Sequence, residues 1–238
     1  MSGVERVALI PARGGSQRIP RKNIKPFLGV PILSRIIDTL EASGSVDRVV
    51  VSTDDEEIAE IARGSGADVP FMRPDELADH HTGARPVIQH GIDELDLSDE
   101  DVVVVMYPTA VMTTPDDLRT AAEMLLGDDA REFVLSVAEF PAPVQRALHL
   151  GEAGEVSPRE PEHLLRRSQD LRSAYYDIGQ FYWGRVGAWR SPTPVVRARC
   201  RAYVMDQWRA VDIDTEDDWQ MAEQLLQLTR VAGAADAR

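Results

Sequence analysis

The chain has 238 residues, a formal net charge of −14 and a single cysteine, Cys200. So acidic a total excludes a general nucleic-acid or anionic-membrane surface, which needs a broad cationic face. One cysteine excludes both a disulfide framework and a cysteine-based zinc site. The length suits a single domain over residues 1–238 with an insertion. With no signal peptide and no run of about 18 apolar residues, the expected location is the cytoplasm.

Val7–Ile10 is an apolar run without alternation, the pattern of a strand buried on both faces of a parallel sheet. It ends at Pro11 and opens into a loop containing Ala12, Gly14, Gly15, Ser16 and the cations Arg13, Arg18, Arg21 and Lys22. Ligands of such sheets gather at the carboxyl ends of the strands. Paired glycines let successive backbone N–H groups approach an anion. The loop therefore reads as a triphosphate cradle, with a solvated basic turn as the alternative. It matches neither G-x-G-x-x-G nor G-x-x-x-x-G-K-[ST], so the dinucleotide and P-loop fingerprints are missing.

Helical spacing follows over Pro31 to Ser43, bounded by Pro31 and Gly44. Val49–Val51 is a second buried strand, and Thr53 or Asp54 is expected to cap the helix after it. A short strand is expected around Val69–Met72, a helix from Thr82 to Leu95, and a third buried strand over Val102–Met106. A helix from Asp116 to Leu126 and a strand over Glu132–Val137 complete an alternation that specifies an α/β sheet with helices on its faces. The pattern breaks near Glu139. Residues 139–178 read as a β-rich insertion that covers the site or pairs with a second subunit. Strands resume at Gly179–Gly184, Arg201–Met205 and Ala210–Asp214, before an amphipathic helix whose Thr215 and Asp218 resemble a capping box.

Asp212 and Asp214 are two apart, so on an extended chain both carboxylates share one face. Two hard oxygen donors at this spacing suit Mg²⁺, which keeps waters and substrate phosphates as its other ligands; the alternative is capping at a charged strand end. Arg73, in an X-Pro loop, suits bidentate binding of a phosphate or an ordinary ion pair. Asp54 and Asp55 fit nucleotide contact or capping equally well. The adjacent His80 and His81 diverge and do not suggest a shared metal. Arg166–Asp170 is a polar cluster fit either for solvent or for a polyhydroxylated acid, and Phe181, Tyr182 and Trp183 read as core or interface. Cys200 reads as a buried or incidental thiol.

Ile10–Ser16 with Ile19–Ile24, followed by Val51–Asp54, Arg73–Leu77 and Asp212–Thr215, resembles the acylneuraminate cytidylyltransferase family over nearly the whole chain. Gln145–Ala147, Arg167–Asp170 and Asp177–Gly184 are most similar to its pseudaminic acid branch. The resemblance implies a nucleotide-binding (Rossmann-like) fold of the nucleotide-diphospho-sugar-transferase type. Its mostly parallel sheet carries helices on both faces, and the insertion makes homodimer contacts. It implies transfer of CMP from CTP to the anomeric hydroxyl of a nine-carbon 2-keto sugar acid, with Mg²⁺ as cofactor and pyrophosphate released. Ala12, Arg13, Gly14, Gly15, Ser16, Asn23, Arg73 and Thr109 would then face the nucleotide. Arg13 and Lys22 would stabilise phosphate charge, and Asp212 and Asp214 would hold the metal. Arg167, Gln169, Asp177, Gln180 and Tyr182 would meet the sugar. Gln17 stands where relatives carry a lysine, and Arg18 offers a replacement charge. The alternatives are the same transfer onto legionaminic, N-acetylneuraminic or 3-deoxy-octulosonic acid, or a CTP-binding module without catalysis.

Overall fold

A computed structural model describes residues 3–79 and 82–236; His80 and His81 lie outside the described residues. The strands of the main sheet are β1 (Arg6–Pro11), β4 (Arg48–Ser52), β5 (Val102–Met106), β6 (Phe133–Glu139), β9 (Tyr175–Arg185) and β10 (Cys200–Val204). Two small antiparallel pairs accompany it: β2 (Pro26–Phe27) with β3 (Val30–Pro31), and β7 (Leu148–Leu150) with β8 (Val156–Pro158). The helices are α1 (Ile32–Ser43), α2 (Glu56–Gly64), α3 (Ala84–Glu94), α4 (Pro115–Leu126), α5 (Val186–Arg190) and α6 (Glu216–Asp236).

The sheet order is β10-β6-β9-β5-β1-β4. Neighbours pair in parallel except around β9, which is antiparallel to both β5 and β6. The architecture is thus the expected α/β arrangement with a mainly parallel sheet. Side-chain alternation along β1 divides the core. Ala8 and Ile10 join the cluster under α1, α2, α4 and α6, while Val7 and Leu9 join the one under α3 and α5. Both faces of β1 are covered, which is why its sequence shows no polar alternation. Gly91 in α3 has the side chain of Leu9 so close that a Cβ would stand 2.9 Å from it, so glycine is what lets this helix seat on the sheet.

The chain runs from β1 to β4 on one side and returns to place β5 on the other, so the order reverses between β1 and β5. A crevice forms at the carboxyl ends of the strands flanking such a reversal. Because β9 is antiparallel, its first residues reach the same edge, as does the segment following β10.

Several expectations are corrected. Residues 210–214 are not a strand: no strand among the described residues pairs with them, although burial alternates, with Val211 and Ile213 buried and Asp212 and Asp214 turned outward. The strand expected at Val69–Met72 reduces to one bridge between Asp68 and Val50, because the prolines at 70 and 74 lack ladder donors. The cap of α2 is neither Thr53 nor Asp54 but Asp55, whose carboxylate accepts from the Ile58 N–H at 3.0 Å. Thr215 and Asp218 do form a capping box at α6, with reciprocal bonds of 2.8 and 3.2 Å. A second box, Thr114 with Asp117, starts α4. Residues 140–174 contain the β7–β8 hairpin and three short 3-10 turns. Phe181 and Trp183 are core residues, fully buried.

Candidate active site

A cleft of about 500 Å³ opens at the sheet edge between the loops after β1 and β5. It gathers Arg13, Ser16, Lys22 and Asn23 from the first loop, Arg73 from the Arg-Pro loop, Thr109 from the loop after β5, and Asp214. Residues far apart in sequence thus meet because three parallel strands end together.

The glycine loop is held by side chains as well as by its own turns. The Gly14 N–H donates to the Asp54 carboxylate at 2.9 Å, and the Ser16 N–H to the Gly14 carbonyl at 3.0 Å. The Gly14 donor is therefore spent internally instead of facing an anion, a correction to the simple cradle. Gly14 has its own steric reason: a Cβ there would lie 2.6 Å from Asp55 Oδ2. The Asn23 amide donates to the Arg13 carbonyl at 2.8 Å and is nearly buried, fixing the loop from beneath.

The cations divide into two sets. Arg21, in the left-handed region with φ 55°, turns away from the cleft and grips Asp55 and Glu57 at the start of α2. Its expected place in the cradle is thereby corrected. Arg13, Arg18, Lys22 and Arg73 line the cleft. Arg73 is only 5% exposed, with Nε 3.2 Å from Ser52 Oγ and Nη2 2.5 Å from the Ser52 carbonyl. Burial lowers its pKa, Asp54 opposes this, and the charge of Arg13 adds to the lowering. A guanidinium stays charged under such a shift. A buried cation at the cleft floor is what a phosphate or carboxylate neutralises. The first turn of α3, Ala84 with Gly83 before it, also borders the cleft and adds the positive end of a helix. Sequence reading found this helix but not its aim, because the aim depends on the loop preceding it.

At the other rim, Lys22 Nζ donates to the Ile213 carbonyl at 2.9 Å and stands 3.6 Å from Asp214 Oδ1, while Arg18 pairs with Asp214 Oδ2 at 2.5 Å. Partial desolvation and the charge of Asp214 raise the pKa of Asp212, with Lys22 opposing. Two carboxylates two residues apart on one outward face are a donor set suited to a hard divalent cation.

The residues expected at the sugar do not line the cleft. Arg167 and Gln169 are exposed in a 3-10 turn of the 140–174 excursion, outside its wall. Tyr182 donates its hydroxyl to Asp177, 2.8 Å from each carboxylate oxygen. Burial and the Asp177 charge raise the pKa of Tyr182, so the phenol keeps its proton. Tyr107, at the cleft, packs edge-on against Tyr182 with centroids 6.3 Å apart, which links the Asp177 pair to the cleft wall. Gln180 is 2% exposed and its amide is bonded at both ends inside the protein. Cys200 is half-buried, and burial pushes its thiol up to about 11, so it is protonated and inert at neutral pH.

An open α/β sheet with a cationic cleft at its strand reversal and Asp214 at the rim has the architecture of a nucleotide-binding protein. The particular family follows from the sequence itself: residues 7–182 match the Cytidylyltransferase family, and the chain belongs to it. It is similar to the pseudaminic acid cytidylyltransferase of Campylobacter jejuni, 38% identical over 222 residues, covering 92% of this chain and 95% of that one. The CMP-N,N'-diacetyllegionaminic acid synthase of Legionella pneumophila is 27% identical, covering 95% and 98%. Among solved structures, CMP:2-keto-3-deoxy-manno-octonic acid synthetase complexed with CTP superposes with a TM-score of 0.72 at 17% identity, over 94% of this chain and 99% of that one. A likeness at that identity supports the fold alone. The enzyme is a nucleotidyltransferase.

Proposed function

We propose that this cytidylyltransferase moves CMP from CTP to the anomeric hydroxyl of a nine-carbon 2-keto sugar acid, with pseudaminic acid as its preferred acceptor. The observation that carries the transfer is the convergence of Arg13, Lys22 and Arg73 on one cleft whose rim bears Asp214. The preference is supported by the 38% identity to a pseudaminic acid enzyme against 27% to a legionaminic acid enzyme.

In the reaction the anomeric oxygen bonds to the α-phosphorus of CTP, the bond to the β-phosphate oxygen breaks, pyrophosphate departs, and the hydroxyl proton leaves to solvent. Phosphoryl-type transfer depends on position and charge compensation more than on an enzyme nucleophile. Arg13 and Lys22 act on the triphosphate, and the cost of their present contacts is small because each is at least partly open to solvent. Ala12, Gly14, Gly15, Ser16, Asn23, Arg73 and Thr109 shape the nucleotide side, several of them by holding the loop rather than by touching the ligand. Asp212 and Asp214 would hold Mg²⁺, which supplies charge neutralisation at the phosphates when bound. The sugar acid enters from the side of Tyr107, Tyr182 and Asp177.

A second copy of the chain is the partner we assign to the 139–178 segment. Leu150 and Val156 of the β7–β8 hairpin are 75% and 65% exposed and Leu165 beyond it is 100% exposed, apolar side chains that a second copy would cover. No helix among the described residues is long and apolar enough to cross a membrane. A cytoplasmic location suits a CTP-consuming reaction.

Incubation with CTP, Mg²⁺ and pseudaminic acid, followed by mass spectrometry, tests the proposal. One CMP-sugar per pyrophosphate released is the expected result. CTP binding without turnover on any sugar acid would reduce the chain to a binding module.

A further inference from the structure

β9 carries a local irregularity beside the cleft. Leu135 pairs with Tyr182 and Val137 with Asp177, leaving Ser136 alone opposite four residues, Ile178 to Phe181. Ser136 Oγ accepts from the N–H groups of both Gln180 and Phe181, at 3.2 and 3.1 Å, and Gly179 takes φ 64°. Bulges of this kind re-aim a side chain. Here the side chain is Gln180. Its Nε2 donates to the Val211 carbonyl at 2.9 Å, and its Oε1 accepts from Thr113 Oγ1 at 3.3 Å. The two partners fix which end of the amide is which.

Val211 immediately precedes Asp212. Its segment has no strand neighbour among the described residues, and side chains take its carbonyls: Gln180 the one at Val211 and Lys22 the one at Ile213. The Val211 and Ile213 side chains are buried, which leaves the aspartates outward. We infer that Gln180 is a positioning residue, which ties the aspartate segment to the loop after β5 through Thr113 and so fixes Asp212 and Asp214 against the nucleotide cleft. It does this from within the core and does not touch the sugar. The inference rests on the proposal that these aspartates hold the divalent cation. Groups that orient metal ligands typically alter metal affinity by about 10–100-fold when removed.

Gln180→Met keeps the length of the side chain and removes both bonds. The Mg²⁺ activation constant should rise about tenfold, with the KM values for CTP and for the sugar acid held within about twofold. Mn²⁺ affinity of the CTP-bound protein, read by electron paramagnetic resonance, should fall by the same factor. Thr113→Val, which removes only the bond that orients the amide, should shift both constants in the same direction by about two- to threefold, and decides the matter if Gln180→Met does not fold. Unchanged Mg²⁺ and Mn²⁺ constants with a lowered melting temperature would overturn the inference, as would a rise in the sugar KM alone. Asp212→Asn separates the two levels: if it retains full Mn²⁺ affinity, the cation assignment fails rather than the role of Gln180.

Discussion

Lys22 and Asp214 stand 3.6 Å apart across the rim of the cleft, with the same ammonium bonded to the Ile213 carbonyl. The first loop and the aspartate segment, from opposite ends of the chain, are thereby joined at the rim where we propose that triphosphate and cation meet. Lys22 compensates the acidic charge of Asp214, and on the proposed function it compensates phosphate charge once CTP is bound. Lys22→Met should therefore lower kcat/KM for CTP about 10²–10³-fold, the effect of removing one charge-stabilising donor. Steady-state pyrophosphate release measures it; a loss under threefold would remove Lys22 from the chemistry.

A second pair secures the segment farther back. Arg209 bonds the Asp117 carboxylate and, through Nε at 3.1 Å and Nη2 at 2.8 Å, the Met112 carbonyl; Tyr203 donates to Asp117 at 2.7 Å. Burial opposes ionisation of Asp117, but Arg209 and the Thr114 and Tyr203 bonds outweigh it and hold its pKa below the usual carboxylate value. Between its folded and unfolded pKa the unfolded chain binds more protons, so this stability is present above about pH 4 and is lost as pH falls through the folded value. Arg209→Met, which strands a buried carboxylate, should cost about 3–5 kcal/mol at pH 7. In Asp117→Asn, thermal melts from pH 7 to 3 should show a shallower acid decline than the wild type.

Gly14 is held to glycine by Asp55. A methyl group there must displace the carboxylate that caps α2 and binds Arg21. Gly14→Ala should destabilise the protein by about 1–2 kcal/mol, the value of a lost cap. Restored stability in Gly14→Ala with Asp55→Ser would identify the clash as the cause in denaturant melts.

How much of this was legible beforehand depended on the range of the forces involved. Strands β1, β4 and β5 could be read because burial on both faces leaves an apolar run, and α1 because Ile32, Leu33, Ile36, Ile37 and Leu40 fall on one face. The outward pairing of Asp212 and Asp214 could be read as alternation. That they lie outside the sheet could not, since their backbone is satisfied by Gln180 and Lys22, remote in sequence. The same holds for Gln180. The family resemblance puts it at the sugar, and only the fold reveals that partners 31 and 67 positions away consume both ends of the amide. Gly179 within an aromatic strand pattern was the one local sign of the bulge.

The proposed dimer has a direct check. Leu150→Glu with Leu165→Glu places charge at two exposed apolar positions of the 139–178 segment, where no core contact is at stake. Sedimentation velocity should show the wild type as a dimer and the double variant shifted toward monomer, with an unchanged melting profile at low concentration. A wild-type monomer at tens of micromolar would dismiss this interface.

The proposed reaction is a cytidylyl transfer with a particular acceptor. The most direct measurement is kcat/KM for pyrophosphate release from CTP and Mg²⁺, compared across pseudaminic, legionaminic, N-acetylneuraminic and 3-deoxy-octulosonic acids. The prediction is turnover with pseudaminic acid at least about tenfold above the others, as expected when a site built to bond one set of substituents leaves its polar groups unpaired with another. Equal or greater turnover with a different acid would contradict the acceptor, and no release with any of them would contradict the transfer.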